Sequence, residues 1–153
     1  MNKKIVIAEN PNAGARDKQS LLSELKAGLV ARGYSVEQES DRKKIQDLLD
    51  IDGSTNEEKI ACVICAGGDG TIGFVANCSA PATPLAILPL GTENVLAKQL
   101  GFDCDISRLM DKIDSSKTFA LDAGEANGLL RASEFLRIYD LRRGAKENCS
   151  SSE

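Results

Sequence analysis

The residues with the clearest capacity for chemistry are Gly67-Gly68-Asp69-Gly70-Thr71, which directly follow the apolar run Ile60, Ala61, Cys62, Val63, Ile64, Cys65, Ala66. A buried strand that breaks into glycines and then starts a helix builds an anion cradle. Backbone N–H groups approach a phosphate closely only where no Cβ intervenes, and the following helix adds its partial positive end. Asp69 places a carboxylate inside the cradle, able to orient the waters of a Mg²⁺ ion or to bond a ribose hydroxyl. Two further glycine loops follow apolar runs, Asn10-Pro11-Asn12-Ala13-Gly14 and Gly91-Thr92. Loops after neighbouring strands of a parallel sheet gather at one edge, so the three can converge on one ligand, and the chemistry they point to is nucleotide binding.

Other chemistries are excluded or disfavoured. The chain has no histidine, which removes Ser-His and Cys-His nucleophile pairs and imidazole zinc sites. Cys62 and Cys65 spell C-x-x-C, but residues three apart on a strand point to opposite faces, so the pair reads as two small buried hydrophobes. Gly68 to Gly73 satisfies G-x-G-x-x-G after a strand, the dinucleotide fingerprint. That fingerprint expects an acid at the end of the next strand, where this chain has Pro89-Leu90-Gly91-Thr92. No P-loop motif and no H-R-D set is present.

The elements that must position these loops alternate between strand and helix. Lys4–Ala8 reads as a strand, and Leu21, Leu22, Leu25, Leu29 and Val30 recur at helical spacing between Arg16 and Arg32, with Gly33 as the stop. Tyr34–Gln38 is a second strand, after which Ser40 or Asp41 caps a helix carrying Ile45, Leu48, Leu49 and Ile51. Gly53-Ser54-Thr55-Asn56 is a polar loop before the central strand Ile60–Ala66. A helix beyond Thr71 runs to Cys78 and stops at Pro81 and Pro84, and Pro84–Leu88 is the next strand. Glu93–Leu100 reads as a helix closed by Gly101, and Asp105 or Ser107 begins another through Ile113. Phe119–Ala123 is a strand leading to the hairpin signal Asn127-Gly128. This alternation predicts a parallel α/β sheet with ligand loops at its carboxyl edge.

Composition bounds the partners. The chain has 153 residues, 42% of them hydrophobic, which is enough for one domain with a real core. A net charge of −4 and 4% aromatic residues leave neither a basic field nor stacking platforms for nucleic acid. No apolar run approaches the ~20 residues of a membrane span, and the N-terminal apolar stretch is too short for a signal peptide, so the sequence reads as cytoplasmic.

Taken together, Asn10-Pro11-Asn12-Ala13-Gly14, Gly67-Gly68-Asp69-Gly70-Thr71 and Pro89-Leu90-Gly91-Thr92-Glu93-Asn94 resemble the catalytic domain of the diacylglycerol kinase family of lipid kinases. That family includes sphingosine kinases and is related in fold to NAD kinase. The resemblance covers about residues 4 to 128. The Gly-Gly-Asp-Gly-Thr core alone is shared with NAD kinase, so the combination of the three motifs discriminates. The resemblance implies a three-layer α/β sandwich with a mostly parallel sheet, of NAD kinase and diacylglycerol kinase type, over residues 1–128. It also implies ATP and Mg²⁺ as cofactors and transfer of the ATP γ-phosphoryl group to a lipid hydroxyl of diacylglycerol or sphingosine type. Asn10, Pro11, Asn12, Ala13 and Gly14 would contact the nucleotide, and Gly67, Gly68, Asp69, Gly70 and Thr71 would wrap its phosphates. Thr92 would donate its hydroxyl to the same ligand. Ser40 stands where the family has a nucleotide-contacting threonine, though it fits a helix cap equally well. Arg16 and Lys18 either reach phosphate or, the reading preferred, solvate the first helix. The alternatives are an NAD kinase-like enzyme or a non-catalytic nucleotide-binding remnant.

The chain departs from the family in two places. Gly73 and Phe74 stand where the family often has Asn-Glu. From about Leu129 the resemblance ends, whereas the family continues into a β-sandwich domain carrying the general base and Mg²⁺-holding residues. The expectation is therefore a truncated copy or fragment whose second domain is missing, with residues 129–153 as a divergent tail, partly helical and then disordered. Leu136, Ile138, Tyr139 and Leu141 with Arg131, Arg137, Arg142 and Arg143 predict a short amphipathic helix. It would patch the domain edge, or make a transient peripheral contact with an anionic membrane.

Overall fold

The computed structural model describes residues 3–14, 17–50, 59–80, 82–122 and 135–144. Six strands form one sheet: β1 (Lys4–Glu9), β2 (Ser35–Glu39), β3 (Ile60–Gly67), β4 (Leu85–Pro89), β5 (Phe119–Asp122) and β6 (Phe135–Ile138), in the order β2-β1-β3-β4-β6-β5. The helices are α1 (Lys18–Ala31), α2 (Arg42–Leu49), α3 (Asp69–Cys78), α4 (Val95–Gln99) and α5 (Ile106–Ser115). β2, β1, β3 and β4 run parallel, and β5 lies antiparallel to β6. The α/β reading of the sequence holds.

Burial explains the strand composition. Ile5 to Ala8, Cys62 to Ala66 and Leu85 to Leu88 are buried without a break, because a parallel strand with helices over both faces has no solvent side to which polar residues could alternate. The chain steps from β1 through α1 to β2 in one direction and returns through α2 to β3 past β1 in the other. With right-handed crossovers these opposite steps set α1 and α2 on opposite faces, giving three layers. Cys62 and Cys65 are buried free thiols on β3. Burial pushes the Cys65 thiol up to about 12, and the Cys62 thiol is raised by burial and then by Cys65 beside it.

Local chemistry sets the helix ends. Asp41 and Asp105 are the N-caps of α2 and α5, their carboxylates accepting from the Lys44 and Arg108 N–H groups at 3.0 Å. Of the two cap candidates Ser40 and Asp41, the aspartate takes the role. Gly33 (φ 91°) and Gly101 (φ 77°) supply the left-handed residues that end α1 and α4. On the α1 and α5 side, Gly28 lies against Met110, where an added Cβ would fall 2.5 Å from the sulfur. Arg32 pairs with Asp111 at 2.9 Å and with Asp114, and the Tyr34 hydroxyl donates to Asp114 at 2.7 Å.

The structure departs from the sequence-based elements at three points. Helix α3 starts at Asp69, with Gly68 as its N-cap, rather than beyond Thr71, so the Asp-Gly-Thr half of the motif is the first helical turn. Helix α4 starts at Val95 rather than Glu93, because Asn94 adopts a left-handed conformation (φ 53°) that a helix cannot contain. The amphipathic helix predicted around Leu136 to Leu141 is instead the strand β6 followed by a single 3-10 turn, Leu141–Gly144. β6 pairs with β5 on one side and meets β4 through Leu85 and Ile138 on the other. The edge of β4 offers unpaired backbone groups, and satisfying them outweighs the helical spacing of the apolar residues. The sheet thus runs across the 128/129 boundary. Ile51, Gly53 to Asn56, Pro81, Ala123, Asn127-Gly128, Arg131, Arg16 and the predicted disordered tail from Lys146 lie outside the described residues.

The Tyr34–Asp114 contact makes a pH-dependent contribution of known sign. Burial first, and then the hydrogen bond to Asp114, raise the Tyr34 phenol from 10.0 to about 12. A group whose value is raised on folding stabilises fully below its unfolded value and loses that contribution as pH rises through its folded one. The thermal midpoint of the wild type should therefore fall more steeply than that of Tyr34→Phe between pH 10 and 12. Parallel curves over that range would remove the contact from the account.

Candidate functional site

The strand order reverses direction at β1 and β3: one connection leaves β1 toward β2, and the later ones proceed from β3 toward β4. In open α/β sheets the crevice at the carboxyl ends of such a pair is where ligands sit. Here the loops meeting at that crevice are Asn10 to Gly14 after β1 and Gly67 to Thr71 after β3, with the loop after β4 beside them.

Backbone contacts join the three loops. The Asn10 N–H donates to the Ala66 carbonyl at 2.9 Å, and the Leu90 N–H donates to the Gly67 carbonyl at 3.2 Å. A Cβ on Gly67 would stand 3.0 Å from the Thr71 Cβ and 3.1 Å from the Asn10 Cβ. A Cβ on Gly91 would stand 2.5 Å from the Gly68 Cα and 2.9 Å from the Gly68 nitrogen. Glycine at these positions is a requirement of loop-to-loop approach. Around Gly14 and Gly70, by contrast, an added Cβ would meet nothing within 4 Å, so the cradle has an open side. The Thr71 N–H returns to the Gly68 carbonyl at 3.1 Å, while the N–H groups that precede it at the start of α3 have no acceptor within the helix and carry its positive end.

Two side chains hold the third loop in place. Asn94 accepts from the Gly91 N–H through Oδ1 at 3.1 Å and donates through Nδ2 to the Gly91 carbonyl at 2.8 Å, closing Gly91 to Asn94 into a ring. Asp69 spans from α3 to α4: Oδ2 accepts from the Val95 N–H at 3.0 Å and Oδ1 from the Leu96 N–H at 3.1 Å. Its carboxylate thus caps α4 while remaining at the cradle, and no cationic side chain among the described residues pairs with it. Among the described residues no group of three or more Asp, Glu, Cys or His could hold a metal ion.

At the first loop, the Asn10 Oδ1 accepts from the Asn12 N–H at 3.0 Å, and the Ala13 N–H returns to the Asn10 carbonyl at 3.1 Å. Pro11, Asn12 and Gly14 are exposed and Ala13 is half-buried. Thr92 is exposed on the loop after β4. Ser40 follows β2, one strand beyond β1, and is exposed, its N–H held by Glu39 at 2.9 Å. The bonds that join the three loops do not include it.

Sequence reasoning missed three participants. Lys18, read as solvating α1, is instead inside: its ammonium lies 3.1 Å from Glu9 Oε1 and donates to the Asn10 carbonyl at 2.7 Å. Gln38 of β2 donates to the other Glu9 oxygen at 2.9 Å. Asn94 was part of a motif, but its lock on Gly91 is visible only in three dimensions. Phe74, where the family often has a glutamate, carries the Arg42 guanidinium of α2 over its ring, 4.6 Å from the centroid.

The glycine geometry can be tested directly. Gly91→Ala should destabilise the protein by about 1–3 kcal/mol, since the backbone it meets cannot yield as a side chain would. Gly70→Ala, facing open space in a helix, should leave stability unchanged or slightly raised. Urea unfolding of both checks this, and equal midpoints would refute the close approach.

Comparison with known proteins agrees with this geometry. Residues 4–126 match the family described as the diacylglycerol kinase catalytic domain. Among curated proteins, a diacylglycerol kinase of Staphylococcus saprophyticus is 32% identical over 135 residues, covering 83% of this chain and 42% of that protein. One from Staphylococcus epidermidis is 31% identical over 130 residues, covering 83% and 41%. Among solved structures, a diacylglycerol kinase from Bacillus anthracis superposes with a TM-score of 0.58 at 25% identity, covering 78% of this chain and 42% of that one. The chain thus spans about two fifths of the length of the relatives it matches. On the match over residues 4–126 and the three loops gathered at one sheet edge, the chain belongs to the diacylglycerol kinase catalytic domain family.

Proposed function

We propose that this chain forms the ATP-binding part of a lipid kinase that moves the γ-phosphoryl group of ATP to a lipid hydroxyl of diacylglycerol or sphingosine type. The observation that carries the reading is the meeting of the loops after β1, β3 and β4 at one edge, with Gly91 too close to the Gly68 backbone to carry a side chain. Such a surface presents N–H groups and a helix N-terminus to an anion while excluding bulk. Phosphoryl transfer asks for positioning and charge neutralisation more than for covalent chemistry, and that is what these residues can supply.

In this reading Gly67 to Thr71 wrap the phosphates, and Asn10 to Gly14 close over the nucleotide from the first loop. Thr92 donates its hydroxyl, and Ser40 contacts the nucleotide from the end of β2. Asp69, held by the Val95 and Leu96 amides, orients the water shell of Mg²⁺. Bound Mg²⁺ supplies neutralisation of the phosphate charge. The reaction takes place on the cytoplasmic side, with transient contact between the protein and the membrane that holds the acceptor. None of the described helices is long and apolar enough to cross a membrane.

Calorimetry with ATP and Mg²⁺, run beside NAD, tests the reading. ATP should bind at millimolar concentration or better and NAD more weakly. Gly70→Asp, which places a like charge where the cradle is open, should weaken ATP at least tenfold without unfolding the protein. Absence of ATP binding at millimolar levels, or equal affinity of the Gly70→Asp variant, would overturn it.

A further inference from the structure

The Lys18 and Glu9 side chains are only 10% and 9% exposed, so both charges of this pair have largely left water. A pair of that kind is weak evidence for stability, because two well-packed apolar groups of the same volume commonly serve as well. Its placement is also unfavourable by local rules. Lys18 is the first residue of α1, whose first turn has no acidic residue, and a cation there opposes the helix dipole. What distinguishes the ammonium is its third partner. It donates to the Asn10 carbonyl at 2.7 Å, at the root of the loop that follows β1, while Glu9 is itself steadied by Gln38 of the neighbouring strand.

We infer that Lys18 is a positioning residue for nucleotide binding, a role that rests on the ATP reading above. The Asn10 carbonyl is the partial negative charge nearest the start of the loop, and Lys18 and the Ala13 N–H take it up between them. With the carbonyl so engaged, its partial negative charge is offset before a phosphate arrives, and the Asn12 and Ala13 segment is held in its folded turn. The Glu9 carboxylate fixes the ammonium in place, and Gln38 fixes the carboxylate, so a chain of three side chains from β1, α1 and β2 sets the shape of one loop. Preorganisation of this kind raises affinity by removing an ordering cost from the binding step.

The test separates positioning from packing. Lys18→Met/Glu9→Met removes both charges together and leaves none unpaired, so the thermal midpoint should stay within a few degrees of the wild type. The ATP dissociation constant, measured calorimetrically with Mg²⁺, should nevertheless rise tenfold or more. Should that variant not fold, Lys18→Gln/Glu9→Gln serves. Its amide can still donate to the Asn10 carbonyl without charge, and affinity should weaken by roughly threefold to tenfold. A folded double variant that binds ATP within twofold of the wild type overturns the positioning role and leaves the nucleotide reading standing. A wild type that binds no ATP overturns both.

Discussion

The rest of the structure depends on how closely two turns of backbone pass each other at the carboxyl edge of the sheet. Gly91 approaches Gly68 so tightly that a Cβ on Gly91 would fall 2.5 Å from the Gly68 Cα, and the Leu90 amide bonds the Gly67 carbonyl across the same gap. This contact sets where α3 begins, and with it where its positive end points. It also places Asp69 within reach of α4, whose first two amides it receives. A side chain at Gly91 would separate the loops, whereas a Cβ at Gly68 would only come into ordinary contact, 3.4 Å from the Gly91 Cα.

Around that contact the protein handles charge by two different devices. Asp69 is anchored by neutral backbone donors, the Val95 and Leu96 amides, and no cationic side chain among the described residues pairs with it. Lys18 does the reverse. Its charge is paired with Glu9 inside the fold, and it also donates to the Asn10 carbonyl. One carboxylate is held by backbone amides and one ammonium is turned into the scaffold, although a lysine at the start of a helix reads from sequence as facing solvent.

The glycine motifs were legible because their requirement is local: a strand end, a tight turn and a helix start lie within a few residues of one another. The same holds for the continuous apolar run of β3, while the caps were narrowed only to Ser40 or Asp41 and to Asp105 or Ser107 before the structure chose the aspartates. The loop after β4 was legible as a motif but not as a mechanism. The bond between Asn94 and Gly91 needs the left-handed backbone of Asn94, which residue type permits but does not dictate. The tail was misread for a related reason. Its apolar spacing suits a helix, and only the open edge of β4 and the partner strand β5 make Phe135–Ile138 extended.

By itself the sequence determined the class of fold and the three glycine loops that follow its strands, because periodicity and glycine placement act over short stretches of chain. The tertiary structure alone decided that these loops meet, that Gly67 and Gly91 are bound by close approach while Gly70 is not, and that Lys18 turns inward to Glu9 and Asn10. Those outcomes depend on distances between residues far apart in sequence, and such distances exist only after the strands have taken their order in the sheet.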